Sequence, residues 1–157
     1  MKYTIREMYP QEYPLLADFL YESIFQREGD DPFPKTIIHQ PELQVYIKDF
    51  GTGKDDACLC AVVDNKVVGA VWVRNIHGYG DLDDETPEFA ISLYKEYRGY
   101  GIGTKLMRQM LELLRKKGYK RASLSVQKEN YALRMYQKCG FKPVIDKEEE
   151  FIMEYRF

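Results

Sequence analysis

Apolar residues recur along the first third of the chain in patterns that predict one strand and two helices. Residues 2–8 (KYTIREM) alternate between polar and apolar side chains, as in a half-buried strand. Apolar residues three and four positions apart then predict a helix over about 11–25. The stretch 26–41 is rich in Gly and Pro and predicts a loop, and a second short helix is predicted over about 41–49.

Three β-rich runs follow in the middle of the chain. The runs 57–63 (ACLCAVV) and 67–76 (VVGAVWVRNI) flank the polar turn Asp64-Asn65-Lys66, which predicts an antiparallel hairpin. After a polar loop, residues 88–93 (EFAISL) form the third run and lead into a glycine-rich stretch. The central part of the chain is therefore predicted to be sheet.

The clearest helical pattern covers residues 102–117. Seven apolar residues lie on one stripe, three basic residues end the segment, and Gly118 stands where a C-terminal cap is expected. A strand over 120–126, a short helix over 129–138 and strands over 141–146 and 150–157 complete the prediction. The element order is β-α-α-β-β-β-α-β-α-β-β, an α+β arrangement with one βαβ crossover at its centre.

The stretch YRGYGIG, residues 97–103, places three glycines on alternate positions where the long helix begins. The start of a helix offers unpaired N–H groups and the positive end of the helix dipole, both of which attract anions. Glycines let a bulky diphosphate approach those amides, and the Arg98 side chain is expected to add charged donors. A strained strand-to-helix turn without a ligand is the alternative interpretation.

Two nucleotide-binding motifs fit the chain poorly. The dinucleotide fingerprint is G-x-G-x-x-G, whereas this chain has G-x-G-x-G, and a Rossmann domain needs several parallel strands. The sequence GTGK at 51–54 resembles a phosphate-binding loop, but Asp55 occupies the position of the metal-binding Ser or Thr. A nucleotide-binding domain remains a third hypothesis, with affinity for ATP or NAD as its test.

Length and composition predict one soluble, cytoplasmic domain over residues 1–157. Hydrophobic residues make up 45% of the 157 residues, enough for one continuous core. We see neither a secretory signal pattern nor an apolar run of the ~18 residues that suggests a membrane span. Three cysteines without zinc-type spacing predict reduced thiols and no metal site.

The net charge of -2 is unevenly distributed. Residues 1–87 carry 8 Lys+Arg and 16 Asp+Glu, and residues 88–157 carry 15 and 9, which together give the 23 and 25 of the chain. A mixed solvated surface is the ordinary explanation. The alternative is that one half faces an anionic ligand and the other a cationic one. The basic run 115–121 lies at a helix end, so we predict no nucleic-acid binding.

Two ordered motifs resemble those of the GNAT-type N-acetyltransferases. The segment from Arg98 to Gly103 (RGYGIG) is similar to the family signature R/Q-x-x-G-x-G/A. The segment 130–141 (NYALRMYQKCGF) resembles a second signature, N-x-x-A-x-x-x-Y-x-x-x-G-F, with its alanine one place early. The resemblance implies the GNAT fold, a central mixed, twisted sheet of six to seven strands flanked by about four helices.

The resemblance also implies acetyl-CoA as cosubstrate, without a metal. Its diphosphate would be held by backbone amides of the glycine stretch, and its pantetheine arm would lie like an added strand between the splayed strands 88–93 and 120–126. We expect a dual role for Asn130, which would cap its helix whether or not it contacts the cofactor. The predicted cofactor-binding residues are Leu93, Arg98, Gly99, Tyr100, Gly101, Ile102, Gly103, Thr104 and Asn130.

The resemblance places the acid–base chemistry on two residues. Tyr136 stands at the family's general-acid position, and a phenol with an ordinary pKa of ~10 is suited to protonating a thiolate. Glu88 opens the strand before the glycine stretch, where related enzymes often place a general base acting directly or through water. The alternatives are a core aromatic for Tyr136 and a solvated strand-end carboxylate for Glu88. No role is predicted for His39 or His77.

The predicted activity is transfer of an acetyl group to a primary amine of a small molecule or peptide, directly in a ternary complex. Acids in the loops at 28–31 and 81–85 suggest a cationic acceptor. A non-catalytic acyl-CoA-binding or regulatory module on the same fold is the alternative. Exposed strand edges near the C-terminus allow a monomer or a homodimer.

Overall fold

A seven-stranded sheet forms the centre of the computed structural model, which describes residues 1–157. The sheet order is β1-β2-β3-β4-β5-β7-β6, and every neighbouring pair is antiparallel except β4 and β5. This mixed sheet confirms the predicted fold class. The strands are β1 (Thr4–Glu7), β2 (Ala57–Val63), β3 (Lys66–Arg74), β4 (Glu88–Leu93), β5 (Arg121–Gln127), β6 (Lys142–Asp146) and β7 (Glu150–Arg156).

Four α-helices lie on the sheet: α1 (Leu16–Ser23), α2 (Pro41–Gln44), α3 (Ile102–Lys117) and α4 (Ala132–Cys139). The helix predicted over 11–25 is divided, since residues Pro10–Leu15 form a 3-10 helix before α1. Pro14 lies inside this turn and has no N–H to donate, which disfavours a continuous α-helix. None of the helices is long and apolar enough to cross a membrane.

Helix α2 is shorter than the predicted helix over 41–49, and the chain after it continues as hydrogen-bonded turns whose carbonyls bind buried side chains. The indole of Trp72 donates to the carbonyl of Tyr46 at 3.0 Å. The guanidinium of Arg74 donates to the carbonyls of Val45 at 3.1 Å and Lys48 at 2.7 Å. The segment after α2 is therefore fixed against β3, and this contact holds Tyr46 in place.

The predicted hairpin between β2 and β3 is confirmed. Asp64 and Asn65 form its turn with φ values of 49° and 65°, a conformation that Asn and Asp tolerate better than other side chains. Alternate residues of β3 then face opposite layers. Val71 and Val73 pack under α3 and α4, whereas Ala70 and Trp72 pack under α1. The sheet thus has a buried core on each face.

The parallel strands β4 and β5 are paired at one position only, Glu88 with Ser123. A backbone hydrogen bond from Ser123 N to Pro87 O, 3.0 Å long, closes this end of the pair. Beyond it the strands separate, because no further pairing joins them towards Leu93. The gap between the two strands lies beside the glycine turn at the start of α3.

Candidate active site

A cleft of about 1380 Å³ lies at the open end of β4 and β5. Its walls are the loop after α1, the last three residues of β4, the glycine turn and the start of α4. Eight of the nine predicted cofactor-binding residues line this cleft, and the ninth belongs to the glycine turn. The lining includes Leu93, Arg98, Gly99, Gly101, Ile102, Gly103, Thr104 and Asn130, while Tyr100 is an exposed residue of the turn.

The glycine turn has the open geometry that an anion site needs. Gly99 and Gly101 adopt φ values of 87° and 81°, which side chains other than glycine rarely adopt. A Cβ atom on either residue would meet no atom within 4 Å, so the space in front of the turn is free of protein. No side chain caps α3, whose first N–H groups therefore face this space. The turn fits a diphosphate group.

The side chain of Arg98 was predicted to face the anion site, but it contacts other parts of the protein instead. Its Nε donates to the carbonyl oxygen of Leu93 at 3.0 Å, and its NH2 group lies 3.4 Å from Oε1 of Glu22. The guanidinium thus joins the end of β4 to the end of α1. The backbone of Arg98 belongs to the glycine turn as predicted, but its guanidinium group is bound to acceptors within the protein.

The edge of β4 that faces the opening carries free backbone donors. Tyr94 N donates to Val68 O on β3 at 3.0 Å. Because successive N–H groups of an extended chain point to opposite sides, the N–H of Leu93 is directed towards β5 and the opening. No strand is paired with it there. This edge is suited to an extended ligand that binds as an added strand.

Tyr136 lies on α4 in the wall of the cleft and is 9% exposed. Its ring packs edge-on against Phe141 at 6.3 Å, and its hydroxyl group has no hydrogen-bond partner. Burial raises the pKa of the Tyr136 phenol well above its ordinary value. The group therefore stays protonated and remains available as a donor.

Asn130 lies at the start of α4 and also lines the cleft. Its Oδ1 accepts a hydrogen bond from Ala132 N at 2.9 Å, so its expected capping role is confirmed. The helix begins at Ala132 rather than at 129. Any contact of Asn130 with a cofactor stays a prediction.

Glu88 is 2% exposed, so the alternative of a solvated strand-end carboxylate is wrong. Its Oε2 accepts a hydrogen bond from the phenol of Tyr46, and its Oε1 is buried without a partner. Burial raises the pKa of Glu88 to about 7, although the hydrogen bond from Tyr46 opposes the shift, as do the amides of Gly80 and Gly78, which approach the carboxylate without forming a regular hydrogen bond to it. A carboxyl group that titrates near neutral pH has the property that a general base needs.

A second unpartnered oxygen lies beside Glu88. Ser123, its partner on β5, is fully buried and its Oγ makes no hydrogen bond. Unpartnered buried polar atoms are rare in proteins because each loses its hydration without compensation. Two such atoms where β4 and β5 begin to separate indicate a place prepared for a hydrogen-bonding molecule.

The acids between 81 and 85 do not form one surface. Asp83 pairs with Arg121 at 2.5 Å, and Asp83 and Glu85 line a separate, smaller cleft. Asp81 and Asp84 instead lie beside His77. The main cleft is lined by other acids, which are Asp18, Glu22, Glu28, Asp30, Glu96 and Glu129. No group of three or more His, Cys, Asp or Glu side chains is arranged to hold a metal ion.

A family model described as the acetyltransferase (GNAT) family matches residues 13–141. The chain belongs to this GNAT family. A probable N-acetyltransferase camello from Xenopus tropicalis is 33% identical over 90 residues, which are 56% of this chain and 40% of that protein. The chain therefore spans less than half the length of this relative.

Solved structures share the fold. The PaiA N-acetyltransferase from Thermoplasma acidophilum, in complex with coenzyme A, has a TM-score of 0.72 with 23% identity over the whole of both chains. The acetyltransferase yncA from Salmonella typhimurium, with its cofactor acetyl-CoA, has a TM-score of 0.68 with 15% identity over 98% of this chain and 93% of that one. The GNAT fold predicted from the two motifs is confirmed.

The sequence analysis gave no role beside Glu88 to three residues, namely Tyr46, Asp81 and Ser123. Tyr46 reaches Glu88 from 42 residues away, and no local pattern connects the two. The spacing His77-x-x-x-Asp81 in a glycine-rich loop was a weak signal, and the two side chains do pair. Ser123 appeared as one polar position of an alternating strand.

Proposed function

We propose that this protein transfers the acetyl group of acetyl-CoA to a primary amine of a small molecule or peptide, directly in a ternary complex. The observation that carries the proposal is the single pairing of β4 with β5, which leaves an unpaired strand edge leading to a turn of bare amides. Membership of the GNAT family supports the same reaction. When bound, acetyl-CoA supplies the thioester as acetyl donor.

We assign each step of the reaction to groups of this chain. The amides from Gly99 to Thr104 bind the diphosphate, and the N–H of Leu93 donates to the carbonyl oxygen that gains charge during transfer. Glu88 accepts the proton that the amine loses. Tyr136 donates a proton to the departing sulfur, since its raised pKa keeps the phenol protonated.

Glu88 does not line the cleft itself, so the proton of the amine must reach it through another group. Its Oε1 and the Oγ of Ser123, its partner on β5, are buried without a hydrogen-bond partner. These atoms can accept hydrogen bonds from a water molecule that passes on the proton. Glu88 would therefore act as a base through water, from outside the cleft.

The acceptor that fits the cleft is a cationic amine. Glu28 and Asp30 on the loop after α1, with Asp18 and Glu22 on α1, line the wall opposite α4. These acids raise the local concentration of a positively charged acceptor, most strongly at low salt. A charged acceptor must still lose a proton before its nitrogen can attack. Glu88 accepts that proton.

Release of free thiol from acetyl-CoA in the presence of a panel of amines tests the proposal. We expect turnover with at least one amine, and loss of about 100-fold or more in kcat with Glu88→Gln or Tyr136→Phe. Tyr9→Phe is the matched control, since Tyr9 is 49% exposed, does not line the cleft and its hydroxyl makes no hydrogen bond. Calorimetry without a heat signal for coenzyme A would overturn the proposal.

A non-catalytic acyl-CoA-binding module is the second candidate. The burial of Glu88, which is 2% exposed and covered by a loop, favours it. A module predicts that coenzyme A binds normally while no amine in the panel releases thiol. Binding and turnover measured on the same preparation separate the two functions.

A further inference from the structure

The loop His77–Asp81 closes over Glu88. Tyr79 N donates to the hydroxyl oxygen of Tyr46 at 2.8 Å, and the two tyrosine rings stack with centroids 6.4 Å apart. A Cβ atom on Gly80 would lie 2.8 Å from the carbonyl carbon of Leu124 and 3.1 Å from the carboxyl carbon of Glu88. The loop backbone at Gly80 thus packs against both β5 and the carboxyl group of Glu88, one residue before Asp81.

Asp81 connects the buried carboxyl group with the surface. Its Oδ1 is buried and has no hydrogen-bond partner, whereas its Oδ2 lies 3.0 Å from Nδ1 of His77. The His77 side chain is 76% exposed, and its Nε2 lies 3.6 Å from Oδ1 of Asp84. An anion beside Glu88 is therefore paired with a surface group whose charge depends on pH.

The other groups around Glu88 do not place a further unpaired charge beside its carboxyl group. Tyr46, from the segment after α2, donates a hydrogen bond to the carboxylate. Arg74, the partner of Glu88 on β3, has its guanidinium committed to Asp56 and to backbone carbonyls. Ser123 on β5 is uncharged. Burial is the largest cause of the raised pKa of Glu88, and the charge of Asp81 adds to it.

We propose that Asp81 and His77 are positioning residues that set the charge state of Glu88 from the covering loop. The negative charge of Asp81 disfavours the ionised form of Glu88, and the imidazolium of His77 cancels part of that charge. A hydrogen bond to Asp81, with the charges of Asp81 and Asp84, raises the pKa of His77 and so favours its imidazolium form. The consequence for catalysis rests on the proposed role of Glu88 as base.

The proposal predicts opposite effects for two substitutions four residues apart. Carboxyl carbons labelled with ¹³C in glutamate allow the titration of Glu88 to be followed by NMR, with the signal assigned by its absence in Glu88→Gln. Asp81→Asn is expected to lower the titration midpoint of Glu88 by about 0.5 pH unit, and His77→Gln to raise it by a similar amount. The double variant should behave like Asp81→Asn, because His77 acts through Asp81.

His39→Gln is the matched control, since His39 is exposed in a 3-10 helix and makes no ion pair. It should leave the midpoint unchanged. Shifts in the same direction for both substitutions, or no shift for His77→Gln, would overturn the proposal. His77→Gln changes an exposed side chain and is expected to fold even if Asp81→Asn does not.

The pH dependence of kcat/KM then separates this proposal from the proposed function. If Glu88 is the base, the kinetic midpoint follows the NMR midpoint in each variant. If the NMR midpoints move in opposite directions while the kinetic midpoint stays fixed, the electrostatic proposal holds and another group is the base. Unchanged NMR midpoints reject the role of Asp81 and His77 and leave the assignment of Glu88 intact.

Discussion

The phenol of Tyr46 donates a hydrogen bond to Oε2 of Glu88, and both side chains are more than nine-tenths buried. The same hydroxyl oxygen accepts a hydrogen bond from Tyr79 N. The bond to Glu88 favours the ionised carboxylate and opposes the effect of burial, and the pKa of Glu88 is about 7 as a result. Tyr46 therefore helps to keep this carboxyl group usable as a base near neutral pH.

Replacing Tyr46 with Phe removes that hydrogen bond and leaves the burial of Glu88 in place. We expect the midpoint of the pH profile of kcat/KM to rise by about one pH unit, because a hydrogen bond to a charged group contributes about 1.5 kcal/mol or more. Activity at pH 7 should fall about fivefold, because the ionised fraction falls from about one half to about one tenth, and it should be largely recovered at pH 9. Tyr79→Phe removes a half-exposed hydroxyl group and should leave the profile unchanged.

The raised pKa of Glu88 also makes folding depend on pH. The folded protein keeps the Glu88 proton up to about pH 7, whereas the unfolded chain loses it near its ordinary value of 4.5. Within this window the folded state binds more protons, so the free energy of unfolding falls as the pH rises. The full contribution is about 3–4 kcal/mol, since each pKa unit corresponds to about 1.4 kcal/mol.

Chemical denaturation of the wild type and of Glu88→Gln between pH 5 and 8 measures this contribution. The stability of the wild type should fall relative to the variant across the window, because Gln cannot titrate. Groups such as His77 titrate in both proteins and cancel in the difference. Parallel stability curves would show that Glu88 has the same pKa in the folded and unfolded states.

Gly101 and Gly103 provide a matched pair for testing the anion site. Gly101 has φ 81° and faces open space, so Gly101→Ala places a methyl group in front of the amides and strains the backbone by about 1–2 kcal/mol. A Cβ atom on Gly103 would instead make ordinary contacts at 3.7 Å with Leu93 and Met135. Calorimetry should show at least tenfold weaker binding of coenzyme A to Gly101→Ala and nearly normal binding to Gly103→Ala.

Helix α3 and the hairpin of β2 and β3 were predictable because local interactions determine them. Six of the seven apolar residues in the stripe of α3 are buried and Leu113 is partly buried, and Gly118 ends the helix with φ 87° as a cap should. The boundaries at α1 and α2 were less predictable, since Pro14 lies in the 3-10 helix before α1 and the distant side chain of Trp72 binds the backbone after α2. Long-range hydrogen bonds leave no periodic pattern in the chain.

The same distinction holds for the candidate site. The glycine turn and Tyr136 belong to motifs of consecutive residues, and the structure brings both to one cleft. The surroundings of Glu88 come from three separate parts of the chain, namely Tyr46, Asp81 and Ser123. Its burial, and with it the raised pKa, depends on a fold that the residue's own neighbours in sequence do not encode.

The contacts of Arg98 lead to a prediction that differs from the role expected of a charged residue beside a phosphate site. Its guanidinium binds the carbonyl of Leu93 and pairs with Glu22, so it fixes the end of β4 rather than facing the turn. Arg98→Ala should weaken binding of coenzyme A by about tenfold through displacement of Leu93, with the same dependence on salt as the wild type. A direct bond between Arg98 and a phosphate group would instead make binding by the variant less sensitive to salt. Titrations at 50 and 500 mM salt distinguish the two, and Glu22→Gln, which keeps a hydrogen-bond acceptor for Arg98, serves as the control.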